Sequence, residues 1–114
     1  MGDTDRAIEK FEEALILARG CGDIEGEAAC YCNIGSARAQ DKQTADALES
    51  YDIGLRLLKK IGNEKGVAEC MHNIGAVHFN DGNTEEAVKL FDAAFQKVRS
   101  EVSTVRSPPQ GVRV

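Results

Sequence analysis

The sequence predicts an all-α fold, a stack of antiparallel helix pairs, on three observations. Apolar residues recur at helical spacing in five stretches, and nothing in the chain reads as a strand. The stretch 71–95, MHNIGAVHFNDGNTEEAVKLFDAAF, returns 40 residues earlier. There Asn33-Ile34-Gly35 matches Asn73-Ile74-Gly75, Thr44 matches Thr84, Ala47 matches Ala87 and Tyr51 matches Phe91. A further 40 back, its second half appears again as Thr4, Ala7, Phe11 and Leu15. A fixed period of this size marks an array in which each unit buries its apolar face only against its neighbours.

Thr4 is the expected N-cap of the first helix, its hydroxyl accepting from a free backbone N–H, with Asp5 in the positive first turn. Ala7, Ile8, Phe11, Ala14, Leu15 and Ala18 form its apolar stripe; Glu9, Glu12 and Glu13 fall on the other side. Gly20 and Gly22 are expected to end it, because glycine tolerates the left-handed conformation there. Asp23 is the expected cap of the second helix, which runs to Gln40 with Ala28, Tyr31, Ile34, Gly35 and Arg38 on one face. Gly35 in mid-helix costs about 1 kcal/mol against Ala. Its return as Gly75 predicts a purpose: close approach of Tyr51, then Phe91, from the paired helix.

Thr44 is the expected cap of the third helix, with Ala47, Leu48, Tyr51, Gly54, Leu55 and Leu58 along one stripe. Gly62 and Asn63 repeat the stop and start of Gly22 and Asp23. Ala68, Met71, Ile74, Gly75 and His78 then repeat the second helix's face. The fifth helix starts at Thr84 and carries Ala87, Val88, Phe91, Ala94, Phe95 and Val98. Val102 and Val105 keep the spacing until Ser107-Pro108-Pro109 stops it, since a residue before proline leaves the helical region. The array is therefore expected over residues 1–105, with a disordered tail over 106–114.

Composition narrows the function. A formal charge of −5 and a pI near 5.0 argue against nucleic acid, whose phosphates demand a basic face. No apolar run of roughly 18 residues is present, so no membrane span is expected. Met1-Gly2-Asp3-Thr4-Asp5 is unlike a signal peptide, which points to the cytoplasm and to four cysteines held as thiols. Only 5% of residues are aromatic and none is Trp, so the core must be aliphatic and rich in alanine.

The two-helix unit, with small, aromatic and small residues at set offsets, resembles the tetratricopeptide repeat. The first helix of each pair offers Tyr31, Ile34-Gly35 and Arg38, then Met71, Ile74-Gly75 and His78. The second helix offers Ala7, Phe11 and Ala14, then Ala47, Tyr51 and Gly54, then Ala87, Phe91 and Ala94. The usual period in that family is 34; this longer one, with an Asn-Ile-Gly triplet, looks like the repeats of Pins-type polarity adaptors and kinesin light chain. Arg19, Lys59 and Arg99 stand where the family has proline, and Arg38 and His78 where it has an aromatic. The resemblance implies a tetratricopeptide-like α-solenoid of two complete pairs preceded by a lone helix of the second type.

The resemblance also implies a binding face built from the first helix of each pair. It would present Asn33, Ser36, Gln40, Glu69, His72, Asn73 and Asn80, together with Ala29, Cys32, Ala39, Ala76 and Phe79. A carboxamide has a donor and an acceptor edge, so Asn33 and Asn73 can match a peptide unit of any sequence. The alternative is that each bonds to its own scaffold. The family's carboxylate clamp needs cations on this face; none stands among Ala29, Cys32, Asn33, Glu69, His72 and Asn73, so a terminal-carboxylate ligand is not expected.

Cys30 and Cys32, two apart on a helix, diverge and make a poor chelate, and Cys30 recurs as Cys70, which suits a small packing position. No catalytic constellation or phosphate loop appears. The expectation is a non-catalytic scaffold without cofactor or metal, binding a peptide or helix segment of a protein partner in its concave groove. A structural element that associates with its own copies, or with more of a larger array, is the alternative. Phe11 and Ala14 at one end, and Val88 and Phe95 at the other, would lack a covering helix, which predicts a homo-oligomer. Ser107-Pro108 as a phosphorylation site and Val112-Arg113-Val114 as a strand-adding end are weighed against an inert tail.

Overall fold

The computed structural model describes residues 2–106. Five helices follow in chain order: α1 (Gly2–Cys21), α2 (Ile24–Gln40), α3 (Thr44–Lys60), α4 (Glu64–Asn80) and α5 (Thr84–Arg106). The three inner ones are 17 residues each, joined by three-residue turns. Every turn holds one residue in the left-handed region: Gly22 (φ 73°), Lys42 (62°), Gly62 (72°) and Gly82 (89°), 20 residues apart. The next residue returns its N–H to the carbonyl five positions back. These bonds run from Asp23 to Ala18 (2.9 Å), Gln43 to Arg38 (2.9 Å), Asn63 to Leu58 (3.0 Å) and Asn83 to His78 (2.8 Å). They satisfy helix-end carbonyls, and the same residue then opens the following helix. Asp23 and Asn63 add a side-chain cap, accepting from the N–H of Gly26 and Gly66 at 2.9 Å. The 40-residue repeat is thus two 20-residue halves with one turn design.

Three local expectations are corrected. Thr4 does not cap α1, which already begins at Gly2 with Asp3 and Asp5 in its dipole-favoured first turn. Gly20 lies inside α1, and Gly22 alone makes the left-handed stop. Thr44 is the first helical residue of α3; the cap position is Gln43, whose backbone carbonyl accepts from Ala47 and whose side chain makes no cap bond. α5 continues through Val102 and Val105 to Arg106. The tail features at Ser107, Pro108, Pro109, Val112 and Val114 lie outside the described residues.

α2 packs on α3 and α4 on α5, as two pairs; α1 leans on α2, α3 on α4, and α2 also touches α4. The radius of gyration is 16.5 Å, against about 13 Å for a compact domain of this length, as a stack requires. Gly35 and Gly75 set the depth of each pair. A Cβ on Gly35 would come within 3.0 Å of the Tyr51 ring, and one on Gly75 within 2.8 Å of Phe91. The core sits where the pairs meet, with Ala28, Tyr51, Leu58, Val67, Cys70 and Val77 buried together. Arg19 ties α1 to α2 by donating to the Tyr31 hydroxyl and to Glu27 at 3.3 Å. The outer faces stay open: Val88 and Phe95 are exposed, as is Ala14, while Phe11 is half-buried.

Candidate functional site

Because α2 touches α4, the two first-type helices stand side by side, with α3 packed against both. Six of the seven residues expected on this face, Asn33, Ser36, Gln40, Glu69, His72 and Asn80, are exposed, and Asn73 is half-buried. They fall into separate depressions rather than one. A cleft of about 320 Å³ between α2 and α4 brings together Asn33, Glu69 and Asn73, beside Glu25, Cys32 and Cys70. Gln40 and Asn80 meet in a second depression, near Lys42 and Asp81. His72 turns the other way, toward α5, where its ring lies 5.1 Å from that of Phe91. Ser36 lines neither cleft.

Within the first cleft no hydrogen bond joins the Asn33 or the Asn73 carboxamide to another side chain or to the backbone among the described residues, and Asn33 is the more exposed of the two. The lining carries two carboxylates, Glu25 and Glu69, and no Lys or Arg. Such a surface attracts cations and donors and repels carboxylates. Burial pushes the Tyr51 phenol up, with the Ser36 hydroxyl pulling against it, so the ring behind the face stays neutral.

Two features were not read from the sequence. The first is a thiol pair: Cys32 on α2 and Cys70 on α4 hold their sulfurs 3.8 Å apart, and the Cys70 sulfur lies 3.2 Å from the Tyr51 carbonyl oxygen. Cys30 and Cys70 are both buried, as the shared repeat position implied. The sequence carried no signal for the thiol pair beyond a cysteine on each of the two first-type helices. The second is a depression of about 610 Å³ on α4 and α5, where Glu69, His72 and Asn73 face Phe91, Phe95 and Val98. It repeats the surface of α2 and α3 that α4 covers, since Phe95 and Val98 correspond to Leu55 and Leu58.

No group of three or more His, Cys, Asp or Glu able to hold a metal ion occurs among the described residues. No described helix is long and apolar enough to cross a membrane. Residues 67–103, which take in most of α4 and most of α5, match the family model of the tetratricopeptide repeat. No curated protein and no solved structure matches the chain.

Proposed function

The chain is a tetratricopeptide-repeat protein, and we propose that its α2/α4 face binds an extended, neutral or basic segment of a partner protein. Repeats of this family are in general protein-interaction modules and not catalysts. The observation that carries the reading is the amide pair: Asn33 and Asn73, one repeat apart, line one cleft without scaffold partners, next to Glu25 and Glu69. Two amides one repeat apart suit the peptide units of an extended backbone, and the carboxylates suit Lys or Arg side chains on it. Gln40 and Asn80 would extend the same face in the second depression, while Ser36 and His72 lie outside both clefts. A cytoplasmic setting belongs to the same proposal, supported by cysteines carried as free thiols.

The test is binding of a fluorescent panel of extended basic, neutral and acidic peptides. Asn33→Ala with Asn73→Ala should weaken the best binder about tenfold or more, with helical circular dichroism unchanged. Unchanged affinity would assign both amides to the scaffold.

A second reading has its own observation. Phe95 (60% exposed), Val98 and Val88 at one end, and Ile16 and Leu17 at the other, leave apolar surface in water. Association with copies of the chain, or with further repeats, would cover it. Sedimentation equilibrium should show mass above the monomer at high micromolar concentration, and Phe95→Glu should reduce it. A monomer throughout would remove this reading and leave the first.

A further inference from the structure

We infer that Cys32 and Cys70 are a redox-sensitive thiol pair that closes to a disulfide between the two repeats on meeting a low-molecular-weight disulfide such as oxidised glutathione. The inference rests on the placement of the two sulfurs and stands whether or not the cleft takes a peptide. The sulfurs are 3.8 Å apart, one on each of two neighbouring helices. A disulfide needs about 2.0 Å, so the gap to close is under about 2 Å and is shared by two side-chain rotations. α2 and α4 themselves approach to within 8 Å between Cα atoms.

Both sulfurs are held where they are. A Cβ on Gly54 of α3 would come within 2.9 Å of the Cys32 sulfur, so that atom rests in the space a glycine leaves open. The Cys70 thiol donates to the Tyr51 carbonyl at 3.2 Å. The remaining cysteines do not compete. Cys30 is buried, and a two-residue step on a helix turns it roughly 200° from Cys32. Cys21 is exposed at the end of α1, away from the α2/α4 contact.

The two thiols have unlike environments, which divides the labour. Cys32 is half-buried and lines the open cleft; Cys70 is 1% exposed. The contact between the two sulfurs draws the Cys32 thiol below the ordinary range, and the same contact with burial pushes Cys70 up. Cys32 is therefore the attacking thiolate. It bonds to one sulfur of the external disulfide, whose other half leaves as a thiolate. Cys70 passes its proton to that thiolate or to water, and its sulfur then attacks Cys32 Sγ, expelling the second external thiolate. Two protein thiols and one external disulfide become one protein disulfide and two external thiols, with two electrons passing outward.

The whole chain is equilibrated with reduced and oxidised glutathione in varied ratio, alkylated, digested and mapped by mass spectrometry. The expected product is a monomer in which the Cys32 and Cys70 peptides are linked and two hydrogens are lost, with Cys30 alkylated. Cys70→Ala should stop at a glutathione adduct on Cys32, and Cys32→Ala should slow the loss of the Cys70 thiol at least tenfold. Circular dichroism of both variants checks that they fold; if either does not, the wild-type map alone decides. Wild-type chain that ends as a Cys32 adduct without the link, or that links only between molecules, overturns the inference.

Discussion

The pairs α2/α3 and α4/α5 carry the same residue pattern and differ in what lies beyond them. α4 lies over the outer face of α2 and α3, and no described element lies over the equivalent face of α4 and α5. Leu58 is 6% exposed, and its counterpart Val98 is 46% exposed. Tyr51 is buried, and its counterpart Phe91 is half-buried. On this outer face burial is thus decided by the neighbour, whereas positions inside a pair, such as Ala47 and Ala87 at 0%, are buried in both copies. An apolar stripe in the sequence says that a face wants covering, and only the next element decides whether it is covered.

The largest expected contrast lies at that pair of positions. Leu58→Ala should lower unfolding free energy by about 3 kcal/mol, through lost burial and a residual cavity. Val98→Ala should cost less than about 0.5 kcal/mol, as an exposed position does. Urea melts of both variants measure the contrast. Equal losses would mean that the outer face of α5 is covered in solution, for instance by another copy.

Next come the glycines. Gly35→Leu should cost about 2–3 kcal/mol, because an enclosed Tyr51 has nowhere to go. Gly75→Leu should cost about 1 kcal/mol, although the clash is closer, because Phe91 can swing into open space. Thermal melts giving equal losses would show that Phe91 is held as firmly as Tyr51.

The smallest contrast is between the two turns inside the pairs, where Lys42 and Gly82 hold equivalent left-handed conformations. Gly82→Lys should cost about 1 kcal/mol, since a side chain disfavours that region, and Lys42→Gly should recover somewhat less. Opposite-signed shifts in Tm would verify it; same-signed shifts would mean that Lys42 contributes a contact of its own.

The sequence made the stack legible because its register recurs. The period of 40, the approach of Gly35 to Tyr51 and of Gly75 to Phe91, and the burial of Cys30 and Cys70 all follow from residues that return in step. What did not return in step was missed. Lys42 takes a conformation that sequence assigns to glycine, forced by the turn closure on either side of it. Gln43 occupies a cap position using its backbone carbonyl alone, so a preference for Thr at caps pointed one residue too far. The meeting of Cys32 with Cys70 crosses from one repeat to the next, and a pattern aligned within repeats does not display contacts between them. The residues of the candidate face were legible as exposed side chains on α2 and α4. Their division into two clefts, with His72 aimed at α5, depends on helix rotation and was not.

Packing confined to adjacent elements also governs how the chain acquires its shape. Among the described residues the substantial contacts reach no further than α2 with α4, separated by one intervening helix, so folding closes mainly short loops. Low contact order of this kind favours rapid folding, in the range of microseconds to milliseconds, with a nucleus that can start at the α2–α4 junction and extend outward in either direction.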